Sequence, residues 1–123
     1  MFSRTKDLGA RGEDAAARFL RRAGYAILAR NFTCTLGEID IICHQDDTIV
    51  FVEVKTRECQ DSADPEENIT PAKQRQIHRV ARFWLARHDE PDCAYRFDAV
   101  TVILPPKGRP DIQHWIAAFA PLN

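Results

Sequence analysis

Gly37-Glu38-Ile39-Asp40-Ile41-Ile42-Cys43-His44-Gln45-Asp46-Asp47-Thr48-Ile49-Val50-Phe51-Val52-Glu53-Val54-Lys55-Thr56-Arg57 is the stretch on which the fold turns. Two β-branched, apolar runs flank a polar centre, the pattern of two strands joined by a tight turn. With Asp46 and Asp47 as a two-residue turn, Gln45 faces Thr48 and Asp40 faces Glu53. Side chains alternate along strands, so Glu38, Asp40, Glu53 and Lys55 converge on one face together with Ile42, Ile49 and Phe51. Facing carboxylates destabilise a hairpin unless something compensates them. A divalent cation does so, and hard oxygen ligands favour Mg²⁺ or Mn²⁺. Such an ion keeps open positions for water and substrate phosphate, with Lys55 placed to orient a water or neutralise charge developing on phosphorus. This is the chemistry of phosphodiester hydrolysis. The same residues also read as a solvated hairpin face with an exposed Glu38–Lys55 pair, worth about 0–1 kcal/mol.

Working outward, residues 5–23 favour helix, with Leu8, Ala15, Ala16, Phe19, Leu20 and Ala23 recurring at three- and four-residue steps and Gly24 as the stop. Glu13 lies towards the apolar side of that helix, either as a further acid for the hairpin site or in a helix-edge ion pair with Arg18 or another neighbour. Residues 25–32 read as a strand. Residues 58–69 form an acidic loop. Thr70 caps a helix opened by Pro71, and Ile77, Val80, Ala81, Trp84 and Leu85 make its apolar stripe. Residues 95–104 read as another strand, while 112–119 fit either a short strand or a short helix. The expected architecture is an α/β domain spanning 1–123, with an αβββαβ core and a mixed sheet flanked by helices.

A chain of 123 residues with 45% hydrophobic and 28% charged residues fits one soluble globular domain. The formal net charge of −1 at first weighs against a nucleic-acid partner. Dividing it along the chain reverses that judgement: 1–30 carry +4, 31–57 carry −3, 58–69 carry −5, 70–88 carry +5 and 89–123 carry −2. Arg75, Arg79 and Arg82 lie at i, i+4 and i+7, one stripe able to track a phosphate backbone, and Lys73 leans towards the hairpin site with Gln74. An ordinary solvated helix face is the competing account. No apolar run is long enough for a membrane span, and a cytoplasmic location is expected. Cys34, Cys43, Cys59 and Cys93 show no metal-ligand spacing, and the four histidines suggest no catalytic role. Free thiols are expected, with Cys43 buried.

Gly12-Glu13, Gly37-Glu38-Ile39-Asp40 and Phe51-Val52-Glu53-Val54-Lys55-Thr56-Arg57, with Arg30-Asn31-Phe32, Lys73-Gln74-Arg75 and Arg96-Phe97-Asp98, resemble the YraN family of small bacterial predicted endonucleases. That family is similar to archaeal Holliday-junction resolvases, within the PD-(D/E)XK nuclease superfamily. The resemblance implies a restriction-endonuclease-like fold, Asp40 and Glu53 as metal ligands, Lys55 as catalytic lysine, and Glu13 as an assisting acid and ligand. Ile39 stands where proline gives the superfamily motif its name. It further implies Mg²⁺- or Mn²⁺-dependent cleavage of DNA, including branched intermediates of recombination and repair, and a homodimer if junctions are resolved symmetrically. The alternatives are a non-catalytic DNA-binding module and a protein-interaction domain built on the acidic loop.

Overall fold

In the computed structural model, residues 4–59, 69–89 and 93–121 are described, those at 4–6 for backbone only. Helix α1 (Arg4–Arg22) leads into strands β1 (Ala26–Cys34), β2 (Gly37–Gln45) and β3 (Thr48–Arg57). Helix α2 (Pro71–Arg87), β4 (Ala94–Ile103) and β5 (Asp111–Phe119) complete the chain. The sheet runs β1-β2-β3-β4-β5, antiparallel at every junction except the parallel pair β3/β4, whose crossover contains α2. This is the expected αβββαβ core in a mixed sheet with helices on both faces, extended by β5. Residues 112–119, open between strand and helix on sequence, belong to that last strand. Most of the acidic loop, at 60–68, lies outside the described residues.

Each helix closes over one sheet face. Ala16, Ala17 and Leu20 of α1 pack on Ile41, Cys43, Val50, Val52, Val100 and Val102. Ile77, Val80, Ala81, Trp84 and Leu85 of α2 pack on Ile39, Ile42, Phe51 and Phe97. The stripe spacing explains the second contact, since it is the solvent-excluded face of a 3.6-residue repeat. Gly24, at φ 96°, ends α1 as a left-handed cap: Tyr25 N–H donates to Leu20 O at 2.9 Å and Gly24 N–H to Arg21 O at 3.0 Å. Thr70 caps α2, its hydroxyl accepting from Lys73 N–H at 3.2 Å. A side chain at Gly12 would collide with Thr56, so the missing Cβ sets how closely α1 approaches β3.

The β2/β3 hairpin has the expected register, from Gln45↔Thr48 to Ile41↔Val52 around Asp46, whose φ is 52°. Beyond that point the strands depart from simple alternation. On β1 the pairing with β2 runs through Arg30↔Ile41 and resumes at Phe32↔Ile39, with the left-handed Asn31 (φ 53°) between them. Ile39 joins the α2-side core and Ile41 the α1-side core, although two residues apart they would share a face in a regular strand. Asp40 occupies the break. Asparagine tolerates the left-handed region better than most residues, which suits position 31 to the irregularity.

Candidate metal centre

The break at Asp40 replaces a rung of the sheet with a carboxylate. Asp40 Oδ2 accepts the Val54 N–H at 2.8 Å, so the side chain bonds to the strand beside it instead of projecting squarely from one face as plain alternation implies. Next along β3 are Glu53, whose side chain is 11% exposed, and half-buried Lys55. From the first turn of α2, Lys73 Nζ lies 3.9 Å from Glu53 Oε1. Lys73, grouped on sequence with the phosphate-tracking residues but leaning towards the hairpin, therefore meets the acid site itself. Gln74 turns away, its side-chain amide donating to Ile69 O at 2.9 Å.

Electrostatics set these acids apart. Burial pushes Glu53 up to about 7 and the neighbouring Asp40 charge adds to the rise, against the pull of Lys73 and Lys55. Burial is also the main cause holding Asp40 above its ordinary value, with Glu38 adding to it and the Val54 N–H, Lys73 and Lys55 opposing it. Glu38 is exposed at the rim. Glu13 of α1 is buried and raised, first by burial and then by Asp40, while Arg30 opposes the shift. Arg30 Nη2 lies 3.4 Å from Glu13 Oε1 and 2.7 Å from Asp14 Oδ1. Glu13 thus pairs across to Arg30 of β1 instead of to Arg18 on its own helix, and the Asp40 charge adds to its raised proton affinity.

Among the described residues no three His, Cys, Asp or Glu side chains cluster closely enough to enclose a metal ion. The donor set instead suits an ion bound by one or two carboxylates and completed by water and phosphate, the ordinary condition of Mg²⁺. Two half-buried carboxylates, both raised by burial and Glu53 further by the Asp40 charge, are also the groups a divalent cation would relieve most.

A second aspartate supplies the contrast. Asp98 is fully buried at the β4/β5 irregularity, where it accepts from Arg96 Nε at 3.0 Å and Nη2 at 3.2 Å and from Ala117 N–H at 2.9 Å. His114 Nε2 lies 2.7 Å from its other contact point, Oδ2, and Arg96 also donates to the Tyr25 hydroxyl at 2.8 Å. Burial works to raise Asp98, but His114, Arg96 and the Ala117 N–H outweigh it and hold the carboxyl below its usual range. Asp98 is saturated by donors and braces the sheet, whereas Asp40 has one hydrogen bond and two facing lysines. The sequence reading missed this cluster. Its available signal was Arg96 and Asp98 at alternate positions inside an apolar strand, where an ionised side chain requires a partner.

Arg75, Arg79 and Arg82 are exposed along α2, as the stripe requires. Trp84 is buried against Phe51, with ring centroids 6.1 Å apart, consistent with its core assignment. Cys34 and Cys43 are free thiols, and burial pushes Cys43 up to about 12. No helix among the described residues is long and apolar enough to cross a membrane.

The sequence profile described as Uncharacterised protein family UPF0102 matches residues 12–102, taking in the second half of α1, the hairpin, α2 and most of β4. The chain belongs to the UPF0102 family. This is the YraN family that the sequence motifs resemble. A UPF0102 protein of Nocardia farcinica is 48% identical over 112 residues, covering 91% of this chain and 88% of its own. One from Caldicellulosiruptor saccharolyticus is 50% identical over 99 residues, covering 80% and 84%. Another, from Geobacter sulfurreducens, is 45% identical over 114 residues, covering 93% and 89%. The UPF0102 match thus includes Glu13, Asp40, Glu53, Lys55 and the α2 stripe.

Proposed function

We propose that this protein is a metal-dependent endonuclease that hydrolyses phosphodiester bonds in DNA. The observation that carries the reading is the pair Asp40 and Glu53 at a break in the sheet, both raised by burial, Glu53 further by the Asp40 charge and Asp40 further by Glu38, with Lys55 and Lys73 beside them. Asp40 and Glu53 would hold Mg²⁺ or Mn²⁺, with Glu13 as the third acid of the set. The ion, when bound, would supply Lewis-acid polarisation of the phosphate and a more acidic water. Lys55 holds positive charge beside the reacting phosphate and orients the attacking water. Lys73, 3.9 Å from Glu53, favours the ionised form of that acid, and the Val54 N–H fixes the Asp40 carboxylate.

Arg75, Arg79 and Arg82 would carry the DNA backbone along α2, an electrostatic, sequence-tolerant attachment. The substrates proposed are branched or otherwise distorted DNA of recombination and repair, in the cytoplasm. One 14.0 kDa domain would cut both strands of a junction symmetrically only as a homodimer. The test is cleavage of single-stranded, duplex, flap and four-way DNA across a titration of Mg²⁺ and Mn²⁺. Metal-dependent strand scission is expected. Tight DNA binding without scission of any form, in either metal, would identify a non-catalytic binding module instead.

A further inference from the structure

The β1/β2 hairpin ends beside the candidate metal centre. Cys34 pairs with Gly37 across its tip, leaving Thr35 and Leu36 at the apex, and Leu36 is 41% exposed. The tip is braced from below: Cys34 packs against the α2-side core, and Gly37, at φ 144°, lies against the Gln76 side chain, which a Cβ there would meet at 2.8 Å. Between the tip and the start of α2 lies an open cleft of about 380 Å³, lined by Thr33–Glu38 on one side and by Lys73 and Gln76 on the other. That volume falls within the range of about 300–1,000 Å³ that small ligands occupy. Lys73 connects the cleft to Glu53, and Arg75, Arg79 and Arg82 continue exposed positive charge from the same helix.

Among the described residues two other large apolar side chains are exposed, but neither adjoins the acids. Leu28 lies beside Trp84 and His88, near the far end of α2, and Ile116 is on the edge strand β5. Of these three, Leu36 alone combines an apolar apex, a braced hairpin and a cleft rimmed by Glu38 and Lys73.

Resting on the endonuclease reading, we propose that Leu36 is a base-step wedge that determines substrate specificity. It enters between neighbouring bases where stacking is already weakened, and the cleft between the hairpin tip and Lys73/Gln76 receives the displaced nucleotide. An apolar side chain inserted at a base step exchanges lost stacking for its own burial, so it acts most readily where the duplex is interrupted. The polar rim of the cleft, from the Thr33 and Thr35 side chains to Lys73, suits the sugar and phosphate, while Leu36 contacts the base. Regular duplex would meet the arginine stripe without the wedge entering.

The test uses the full chain with Ca²⁺ as divalent ion and DNA carrying 2-aminopurine at the branch point, read by anisotropy for binding and by 2-aminopurine emission for unstacking. Wild type is expected to raise the emission on branched DNA and not on linear duplex. Leu36→Ser should abolish that rise and reduce the preference for branched over linear DNA about tenfold, the worth of one buried leucine side chain, with duplex affinity unchanged. Leu36→Phe should retain the rise, and Leu28→Ser should match wild type. A rise undiminished in Leu36→Ser, or equal loss of branched and linear binding, overturns the wedge while leaving the endonuclease reading intact. Absence of any anisotropy change with wild type and every DNA form overturns both.

Discussion

Replacing Glu53 by glutamine removes an acid that the metal-free fold holds at a cost. Glu53 is raised from 4.5 to about 7, chiefly by burial and then by Asp40, and its side chain is only 11% exposed, so solvent does little to screen the effect. A carboxyl whose folded-state pKa is raised stabilises the fold fully at pH below its unfolded value and loses that contribution as pH climbs through the folded value. The rise from 4.5 to about 7 is worth about 3 kcal/mol at ~1.4 kcal/mol per pH unit. Metal-free Glu53→Gln should therefore be more stable than wild type by about 2–3 kcal/mol at pH 8 and nearly equal to it at pH 4, where the acid is largely protonated in both folded and unfolded chains. Urea denaturation after chelation, followed by tryptophan fluorescence, measures the difference. Adding Mn²⁺ at pH 8 at 100 times its dissociation constant should return about 2.7 kcal/mol to wild type and nothing to the variant. A variant less stable than wild type at pH 8, or equally stabilised at both pH values, would refute the account of this site.

Three further outcomes follow from other parts of the molecule. Asp98→Ala should destabilise the fold by about 2–4 kcal/mol in urea melts, because it removes the fully buried carboxylate shared by half-buried Arg96, His114 and the Ala117 N–H; wild type should lose the Asp98 contribution as pH falls through its depressed pKa, below the usual aspartate range. The triple change Arg75→Ala, Arg79→Ala, Arg82→Ala should leave stability within about 1 kcal/mol and reduce the salt slope of DNA binding by about 2–3, as expected when two or three phosphate contacts are lost. Gly12→Ala should cost about 1–3 kcal/mol through collision with Thr56, part of it recovered by Thr56→Ala in the same chain.

The legible parts of this fold are those governed by local period and local capping. The apolar runs on either side of Asp46-Asp47 set the hairpin register through alternation, and Thr70-Pro71 followed by the Ile77–Leu85 stripe marks α2 without reference to the rest of the chain. What escaped reading lies where two strands interrupt each other. Asn31 turns left-handed opposite the stretch containing Asp40, and this splits Ile39 and Ile41 between the two cores and turns the Asp40 carboxylate towards Val54. Strict alternation correctly brings Asp40 near Glu53 but does not provide for that rotation. β5 was ambiguous for a related reason: Ala117, at φ 54°, and Asp98 break its ladder with β4, so its polar and apolar residues do not alternate. The contacts of Lys73 with Glu53 and of His114 with Asp98 join residues far apart in sequence, and only the crossover through α2 and the pairing of β4 with β5 bring them together.

Comparison of the two aspartates also narrows the functional question. Both replace part of a broken ladder by accepting a backbone N–H, Asp98 from Ala117 and Asp40 from Val54. Asp98 is closed by an arginine and a histidine and lies below its normal pKa range; Asp40 faces acids and lies above its own. A fold that satisfies one buried acid so fully and leaves another facing Glu53 makes the second the natural place for a ligand.

Nicking of closed-circular DNA by wild type and by Asp40→Asn, with matched circular dichroism and Mg²⁺ or Mn²⁺ as the only variable, tests the central claim most directly. Closed circles have no ends, so any nick reports endonuclease chemistry. Wild type is expected to nick only with the metal present, and Asp40→Asn to lose on the order of 10³-fold. Nicking that persists undiminished in the variant, or wild type that leaves the circles intact in both metals, would contradict that claim.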